Sequence, residues 1–564
     1  MALQSHRFGS TLDVNGSQRR QSEFTKPDVQ LGFKEIEISF PCSSQTDLDF
    51  TRRLIKTPGL IPDDVTIQAM TPCRKDAILT TVESLKGAKK AILFSWISMS
   101  DNFRETMLGM TEDECLERVV ECTKYARSLT VENPSAQDTE WTFSFGFEDF
   151  PNSRPEAALR FAEAIKNAWG PEPTKPLILG VAASVESTMP NVFADQVEYF
   201  LRNISDREKF VFSVHPHNDR GCGVASAELA RLAGADRIEG CLFGNGERAG
   251  NVDLVTLALN LLTQGIDPQL DFSNLPEVRD IVEELTQIPT HPRAPYAGEF
   301  YFRAFSGAHQ DAIIKGFRRH DAENNNTNSN TFHNGRPQDA WRVPYLPMDP
   351  PDIGIGYDRI IKVNSQSGKS GVAWLVMRAL GLDLPLGLRM AFSKLMKRTS
   401  EAVQREITAE EIARLFLKTY NLEQTKVPLY IGSAADTPID GNSILQDPDL
   451  VRAKNMETGP TFTTSIAKHL SRILGISVSN IELTEQDSAP KVIKQKYIVY
   501  AECTVLGFND SFWGAAVGSN SRITQINAIL SALYAGGMLK TRLETYTKIS
   551  PLQGEWIEEL PTRA

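Results

Sequence analysis

Two histidines at the end of an apolar run are the residues whose type and spacing most directly suggest chemistry. The run 210–214 leads into His215 and, two residues later, His217. Side chains alternate between the faces of a strand, so both imidazoles should point the same way. Asn251, after the glycine-rich segment 244–250, could add an amide oxygen. Mixed nitrogen and oxygen ligands suit Zn, Mn or Mg, so the pattern predicts a divalent metal site; the alternative is a hydrogen-bonded strand end.

The elements that must position these residues alternate between strand and helix. Helix-like stretches such as 112–129, 155–169 and 194–203 separate the strand-like runs. This alternation predicts an α/β protein built on a (β/α)8 TIM barrel, where catalytic groups lie at the C-terminal ends of strands. The missing first strand is divergent or incomplete, and we expect segment 7–14 to supply it. The seven recognisable runs are 33–40, 65–70, 91–97, 141–147, 177–183, 210–214 and 237–243.

The second half of the chain has a different pattern. Apolar residues there first recur at helical spacing, and Thr408-Ala-Glu-Glu411 is a capping box that predicts the start of a helix. A strand-like run at 495–506 and a helix at 522–533 then predict an α+β domain. The sequence therefore predicts a barrel, helical linker subdomains and a C-terminal domain, at 1–270, 271–422 and 423–564.

Charge and composition exclude several classes of protein. A net charge of -11 over 564 residues, without a basic cluster, argues against a nucleic-acid partner. Because no run of about 18 apolar residues occurs, we expect no membrane span. The seven cysteines form no Cys-x-x-Cys pair, which fits a reducing compartment. We therefore expect a cytoplasmic protein that acts on small molecules; arginines and serines within 1–26 make a mitochondrial location the alternative.

Longer motifs surround the histidines and identify a family. His215-Pro-His-Asn-Asp-Arg-Gly, followed by Gly244-Asn-Gly-Glu-Arg-Ala-Gly-Asn251, resembles the 2-isopropylmalate synthase family of acetyl-CoA-dependent acyltransferases. The resemblance implies a homodimer that condenses acetyl-CoA with a 2-oxo acid, giving a 2-substituted malate, with a divalent metal as cofactor. It also implies a C-terminal domain that dimerises and binds leucine, although segment 514–521 differs from the family's leucine loop. Matching segments at 32–38, 61–66, 305–311, 343–347 and 364–369 extend it over nearly the whole chain.

The resemblance assigns roles to individual residues. It implies that His215, His217 and Asn251 are the metal ligands. An acetyl-CoA methyl group must lose a proton to become a nucleophile, and a positioned imidazole, phenol or carboxylate can mediate that transfer. Glu148, His309 and Tyr345 are the residues implied for it, with His309 and Tyr345 acting at the barrel of the partner subunit.

The sequence departs from the family pattern around the oxo acid. The family's first strand carries an Arg-Asp-Gly motif; here the nearest match begins at Arg7, implied to hold the oxo acid, and Phe8 replaces the metal-ligating carboxylate. Phe94 stands where the family has His, Gly146 where it has Ser, and Ser184 where it has Thr. All three are predicted to contact substrate.

These exchanges predict a changed substrate. A site built to hydrogen-bond one substrate rejects others, so replacing its polar groups changes which substrate fits. Phe147, next to Gly146, is expected to line the same pocket. We therefore hypothesise a bulkier or aromatic 2-oxo acid in place of 2-oxoisovalerate, as in a paralogue of specialised metabolism. The interpretation that the family itself implies is a leucine-biosynthesis-like enzyme of the 2-isopropylmalate synthase type, to which this paralogue and a catalytically silent partner subunit are the alternatives.

Overall fold

The chain forms two compact units, Met1–Tyr301 with Asp352–Ile355 and Phe302–Pro351 with Gly356–Ala564. The predicted division at 270 and 422 stays a prediction. Within the described residues, no helix is both long and apolar enough to cross a membrane. The computed structural model describes residues 2–5, 28–325, 332–333, 336–337, 341–363, 367–422, 429–430, 439–446, 460–486 and 497–541.

The first unit is built on a closed barrel of parallel strands that pair in sequence order, as predicted. Parallel strands covered by helices are buried on both faces, which explains their long apolar runs. The strands are β1 Ala2–Ser5, β2 Glu35–Ser39, β3 Thr66–Pro72, β4 Lys90–Ser98, β5 Glu140–Glu148, β6 Leu177–Ala183, β7 Phe210–Pro216 and β8 Arg237–Gly240. The helices are α1 Gln45–Lys56, α2 Lys75–Leu85, α3 Glu112–Leu129, α4 Pro155–Trp169, α5 Pro190–Asn203, α6 Gly223–Leu232, α7 Leu254–Thr263 and α8 Leu275–Thr286.

The first strand comes from the very start of the chain. β1 pairs with β8 from Ala2–Arg237 to Ser5–Gly240, and with β2 at Ser5–Ile36. The prediction that 7–14 supplies this strand was therefore wrong, and that segment lies outside the described residues. Four residues are too few to show alternation, whereas backbone pairing on both sides can still close the barrel.

Strand β5 shows how the barrel separates two layers. Phe143 faces outwards and stacks on Trp169 of α4, with ring centroids 4.6 Å apart. Phe147 shares that outer face and is fully buried beside Phe145. The intervening residues, including Gly146, consequently face the barrel interior. The expectation that Phe147 lines the substrate pocket was wrong, because a shift of one residue along a strand reverses the face.

The second unit contains helices and small antiparallel sheets. Its helices are α9 Gly307–Asn325, α10 Lys369–Leu380, α11 Leu386–Val403, α12 Ala409–Thr419, α13 Gly441–Leu445, α14 Pro460–Leu474 and α15 Ser521–Ala535. The paired strands are β9 Phe332–His333 with β10 Arg336–Pro337, β11 Leu429–Tyr430 with β15 Lys540–Thr541, and the sheet of β12 Val478–Glu485, β13 Tyr497–Val505 and β14 Phe512–Gly518.

Two local patterns in the second unit, a capping box and an amphipathic C-terminal helix, form the structures that they predict. Thr408 accepts a hydrogen bond from the Glu411 amide at 3.2 Å and Glu411 accepts one from the Thr408 amide at 2.9 Å, so the predicted capping box is confirmed. Helix α15 packs on the C-terminal sheet through a fully buried apolar face that includes Ile526, Ile529 and Leu533. The predicted α+β arrangement of this segment is therefore present.

Candidate active site

The end of β7 and the turn after β8 bring the three predicted metal ligands together. The rings of His215 and His217 lie 5.4 Å apart between centroids, at 78° to each other. Asn251 pairs with His217 through a backbone bridge, and its Nδ2 lies 2.8 Å from His215 Nε2. The strand alternation that predicted a shared face for the imidazoles therefore agrees with their positions.

The glycine-rich turn is what brings Asn251 to this position. A Cβ added at Gly246 would collide with the Asn251 amide oxygen, and one at Gly250 would collide with the Gly244 carbonyl oxygen. Gly250 also has a φ of 91°, which residues with a Cβ rarely adopt. Glycines at these positions thus let the turn fold back and bury the Asn251 side chain, which is 1% exposed.

His215 is held in one tautomer by its two neighbours. Its Nδ1 lies 3.3 Å from Glu239 Oε2, an acceptor, and its Nε2 faces the amide NH2 of Asn251, a donor. The proton therefore belongs on Nδ1, and Nε2 carries the lone pair. A carboxylate behind a histidine in this way is the usual support of a metal ligand.

His217 has the opposite arrangement. Its Nδ1 accepts a hydrogen bond from the Val185 amide at 3.0 Å and lies 2.8 Å from Nη2 of Arg248. The lone pair is therefore on Nδ1, and Nε2 carries the proton. Burial, followed by the electrostatic effects of His215 and Arg248, lowers the pKa of His217 to about 3, against the opposing effect of Asp219. His217 is thus neutral at neutral pH but directs its lone pair away from Nε2.

These contacts decide how well the site fits a metal ion. His215 carries its lone pair on Nε2, where it accepts from the Asn251 amide, so both residues fit once that amide turns its oxygen towards the cation position. His217 in this orientation does not. Strand β1 consists of Ala, Leu, Gln and Ser, without a carboxylate, and no group of three or more His, Cys, Asp or Glu side chains in the described ranges is placed to hold a cation.

Two polar residues at the ends of β5 and β6 were also predicted. Glu148 shares the inward face of β5 with Gly146, and its Oε2 accepts a short hydrogen bond from the Ser98 hydroxyl at the end of β4. Ser184 Oγ accepts a hydrogen bond from the Asp149 amide at 2.9 Å and is 4% exposed. Ser184 therefore supports the end of β5, and the hydrogen bond from Ser98 holds the Glu148 carboxylate at the C-terminal end of the same strand.

Aromatic rings line the opposite part of the barrel interior. A Cβ added at Gly146 would lie 2.7 Å from Cε2 of Phe94, so the Phe94 ring occupies the space that a larger residue would need. Phe94 stacks on Trp96 with centroids 6.1 Å apart, and Trp96 meets Phe40 edge-on at 5.4 Å. All three rings are partly exposed. They form an apolar surface, which we call the aromatic wall.

Two of the remaining predicted residues belong to the second unit. In the second unit, His309 of α9 and Tyr345 stack with ring centroids 4.1 Å apart, and both side chains are exposed. Tyr345 has a φ of 64°, an uncommon conformation for a bulky residue that often marks a functional position. Arg7 lies outside the described residues.

Sequence reasoning missed Glu239, Trp96 and Phe40. A usable signal existed for Glu239: Arg237 and Glu239 are charged residues two apart in an otherwise apolar strand, so both must share one face. Both are almost fully buried. Trp96 had a similar signal, two residues from Phe94, whereas the proximity of Phe40 depends on the barrel, which brings the end of β2 near β4 across the intervening β3.

Two models of known protein families match this chain. The HMGL-like family model matches residues 11–282, and the model described as alpha-isopropylmalate synthase, post-catalytic domain-like, matches residues 299–377. Between them, these matches span both the barrel and the segment that carries His309 and Tyr345.

Relatives cover most of the chain. The isopropyl malate synthase gloH of Glarea lozoyensis is 48% identical over 87% of this chain and 80% of its own, and AMT7 of Alternaria alternata is 47% identical over 91% and 84%. The 2-isopropylmalate synthase 2, mitochondrial, of Saccharomyces cerevisiae is 41% identical over 91% and 84%. The predicted resemblance and enzyme class are thereby confirmed, and the chain belongs to the isopropylmalate synthase family of transferases.

Proposed function

We propose that this chain condenses acetyl-CoA with an aromatic or otherwise bulky 2-oxo acid to give a 2-substituted malate and free CoA. The methyl carbon of acetyl-CoA, after losing a proton, attacks the ketone carbon of the oxo acid, and water then hydrolyses the thioester. The membership of the chain in a family of isopropylmalate synthases supports the reaction class. The aromatic wall is the observation that supports the choice of oxo acid.

The proton-transfer groups are Glu148, His309 and Tyr345. Glu148 lies at the C-terminal end of β5, where catalytic groups of barrel enzymes are found, and its hydrogen bond with Ser98 fixes the carboxylate. His309 and Tyr345 form an exposed stacked pair, which suits groups that complete a site on another subunit. The protein therefore works as a homodimer, with this pair supplied to the barrel of the partner.

His215 and Asn251 would hold a divalent cation, Zn, Mn or Mg, and His217 would join them if its ring turned the lone pair inwards. A cation bound there would act as a Lewis acid that polarises the oxo-acid carbonyl. The support is the tautomer of His215, which exposes an unprotonated Nε2 beside Asn251. Ser184 maintains the neighbouring strand end through the Asp149 amide, and Arg7 is the candidate for the oxo-acid carboxylate.

The aromatic wall determines the oxo acid. Phe94 and Phe40 offer ring faces and edges without a hydrogen-bond donor, Trp96 adds a single indole N–H, and aromatic pairs stabilise one another by about 0.5–1.5 kcal/mol beyond their burial. Gly146 does not enlarge the pocket, because Phe94 fills the space beside it. An oxo acid with a ring can therefore pack on this wall, whose three side chains together offer one hydrogen-bond donor, the indole N–H of Trp96.

The test is an assay of purified protein with acetyl-CoA and a panel of 2-oxo acids. Release of free thiol and the mass of the malate product are measured with phenylpyruvate, 4-methyl-2-oxopentanoate and 2-oxoisovalerate. We expect the highest kcat/KM with phenylpyruvate. The double variant Phe94→His with Gly146→Ser, which restores the family's residues together, should shift the preference towards 2-oxoisovalerate. Turnover of wild type with 2-oxoisovalerate alone would contradict the proposed substrate.

A catalytically silent partner subunit is the second candidate, favoured by the lack of a carboxylate in β1. Such a subunit would bind far less than one cation per chain and would contribute His309 and Tyr345 to an active paralogue. Metal analysis of the purified protein separates the candidates, because the enzyme should retain close to one divalent cation per chain. For the compartment, cytoplasm and mitochondria are the two proposals, the second supported by a relative that is named mitochondrial.

A further inference from the structure

A network of buried polar side chains fills the barrel interior below His215. Arg237 is fully buried, and its Nε donates to Glu35 at 2.6 Å while its Nη2 donates to Gln68 at 3.2 Å. Its Nη1 donates a short hydrogen bond to Oε1 of Glu239. A buried ion pair is costly unless its geometry is well satisfied, so an arrangement with this many partners calls for a reason beyond stability.

Glu239 occupies one fixed orientation within this network. Its Oε1 accepts hydrogen bonds from Arg237 and from the Ser213 hydroxyl, the latter at 2.7 Å. Its Oε2 consequently faces Nδ1 of His215 at 3.3 Å. The carboxylate is 2% exposed, so bulk water cannot easily replace any of these partners.

We propose that Glu239 is a positioning residue for His215: it accepts the Nδ1 proton and thereby keeps the Nε2 lone pair directed at the metal position. Arg237 and Ser213 act through Glu239 by fixing which of its oxygens faces the ring. This inference rests on the metal site in the proposed function. It adds that the two imidazoles are unequal, with His215 as the ligand prepared before any cation arrives.

The proposal makes a specific prediction for Glu239→Gln. Nη1 of Arg237 donates both to the Ser213 hydroxyl, at 2.9 Å, and to the Oε1 position, and the Ser213 hydroxyl donates to Oε1 as well. Two donors therefore face the Oε1 position, which keeps the amide oxygen there. The NH2 group of the glutamine is then placed against Nδ1 of His215 and donates to it. His215 must accept at Nδ1 and carry its proton on Nε2, which removes the lone pair that would bind a cation.

Glu35→Gln is the matched control. Glu35 is the other carboxylate bonded to Arg237, at 2.6 Å from Nε, and it lies on the side of the guanidinium away from Glu239. The carboxylate-to-amide change at Glu35 therefore disturbs the same Arg237 guanidinium without placing an NH2 group against His215.

The first measurement is the tautomer of His215 in metal-free protein labelled with 15N-histidine. The resonance is assigned by its loss in His215→Gln. We expect a proton on Nδ1 in wild type and in Glu35→Gln, and on Nε2 in Glu239→Gln. An Nε2 proton in wild type would overturn the proposal without any variant, and so would an unchanged tautomer in a folded Glu239→Gln.

The second measurement is a calorimetric titration of the chelator-treated proteins with Mn²⁺. Glu239→Gln should bind about ten- to hundredfold more weakly than wild type, as expected for the partner of a metal-ligating histidine, and Glu35→Gln should bind like wild type. Equal weakening in both variants would show that the charge of the network matters and not the orientation of His215. If wild type binds no Mn²⁺ but the tautomer switches as expected, the metal in the proposed function fails while the positioning role stands.

Discussion

Two sides of the same barrel interior have opposite chemistry. On the side of β7 and β8, His215 is hydrogen-bonded to Glu239 and Asn251, and behind them Arg237 is fully buried. On the side of β4 and β5, Phe94 packs on Trp96 and covers the backbone of Gly146. The first side can bind and polarise a ligand, whereas the rings of the second shape the space around it, next to the Glu148 carboxylate at the end of β5.

The difference shows which part of the site can change without loss of the fold. Exchanging Phe94 affects the packing of its ring on Gly146, and so changes the local shape of the pocket. Exchanging Glu239 affects several buried donors at once, because Ser213 and Arg237 both depend on it. Leaving a buried donor unpaired costs about 1–3 kcal/mol. We therefore infer that the polar side fixes the reaction class and that the aromatic wall sets the substrate.

The largest expected effect separates the two sides directly. His215→Gln should weaken Mn²⁺ binding by on the order of a hundredfold, since an amide replaces the imidazole lone pair. Phe94→Leu should leave Mn²⁺ binding within about twofold, because distant sites without shared partners act independently. Calorimetric titration of both variants measures this. Comparable weakening by Phe94→Leu would show that the two sides are one coupled site.

A smaller effect is expected on the aromatic side alone. In Gly146→Ala the new Cβ would lie 2.7 Å from Phe94 Cε2, and such overpacking typically destabilises by about 1–3 kcal/mol. Thermal unfolding should show a lowered Tm. Adding Phe94→Leu to the same chain should recover most of the loss, because the shorter side chain leaves room for Cβ. If the double variant instead lost as much Tm as the two single variants added together, the Phe94 ring would not occupy the space beside Gly146.

The smallest effect concerns the surroundings of His217. The hydrogen bond from Arg248 to Asp219, at 2.8 Å, lowers the pKa of Asp219 below its ordinary 3.8. A lowered carboxylate pKa stabilises the folded state above the ordinary value, and the contribution disappears as the pH falls through the lowered one. Arg248→Gln should therefore lower stability by under about 1 kcal/mol at pH 7, since the pair is partly exposed.

The pH dependence of that loss is the check. Thermal unfolding of wild type and Arg248→Gln should converge as the pH is lowered past 3.8. Asp219→Asn introduced into both chains should remove the pH-dependent part of their difference. A difference that persists unchanged in strong acid would assign the stability effect to packing of the Arg248 side chain.

Local patterns were sufficient for much of the fold. The strands from β2 to β8 were predicted within a few residues, because buried parallel strands have apolar runs that stand out between amphipathic helices. The capping box at Thr408 needs only a hydroxyl and a carboxylate three residues apart. Strand β1 could not be found in this way, because its four residues become a strand only through pairing with β8 and β2.

The candidate site, too, has features that local patterns predict and features that depend on tertiary contacts. The residues 215–221 and 244–251 identified the family and placed His215, His217 and Asn251 together, since alternation along one strand is a property of the local backbone. Which face Phe147 occupies was mispredicted, because one step of register separates the interior of the barrel from its outer layer. The stacking of His309 on Tyr345 depends on a chain reversal that their spacing does not reveal.

The sequence by itself determined the family, the barrel and the shared face of the two imidazoles, because these follow from motifs and from the period of a strand. Only the tertiary structure made the imidazoles different. His215 faces a carboxylate supplied by β8, whereas His217 faces an amide and a guanidinium supplied by two loops. The tautomer of a histidine is set by whichever donors and acceptors the fold brings to its two nitrogens, and those partners are distant in the chain.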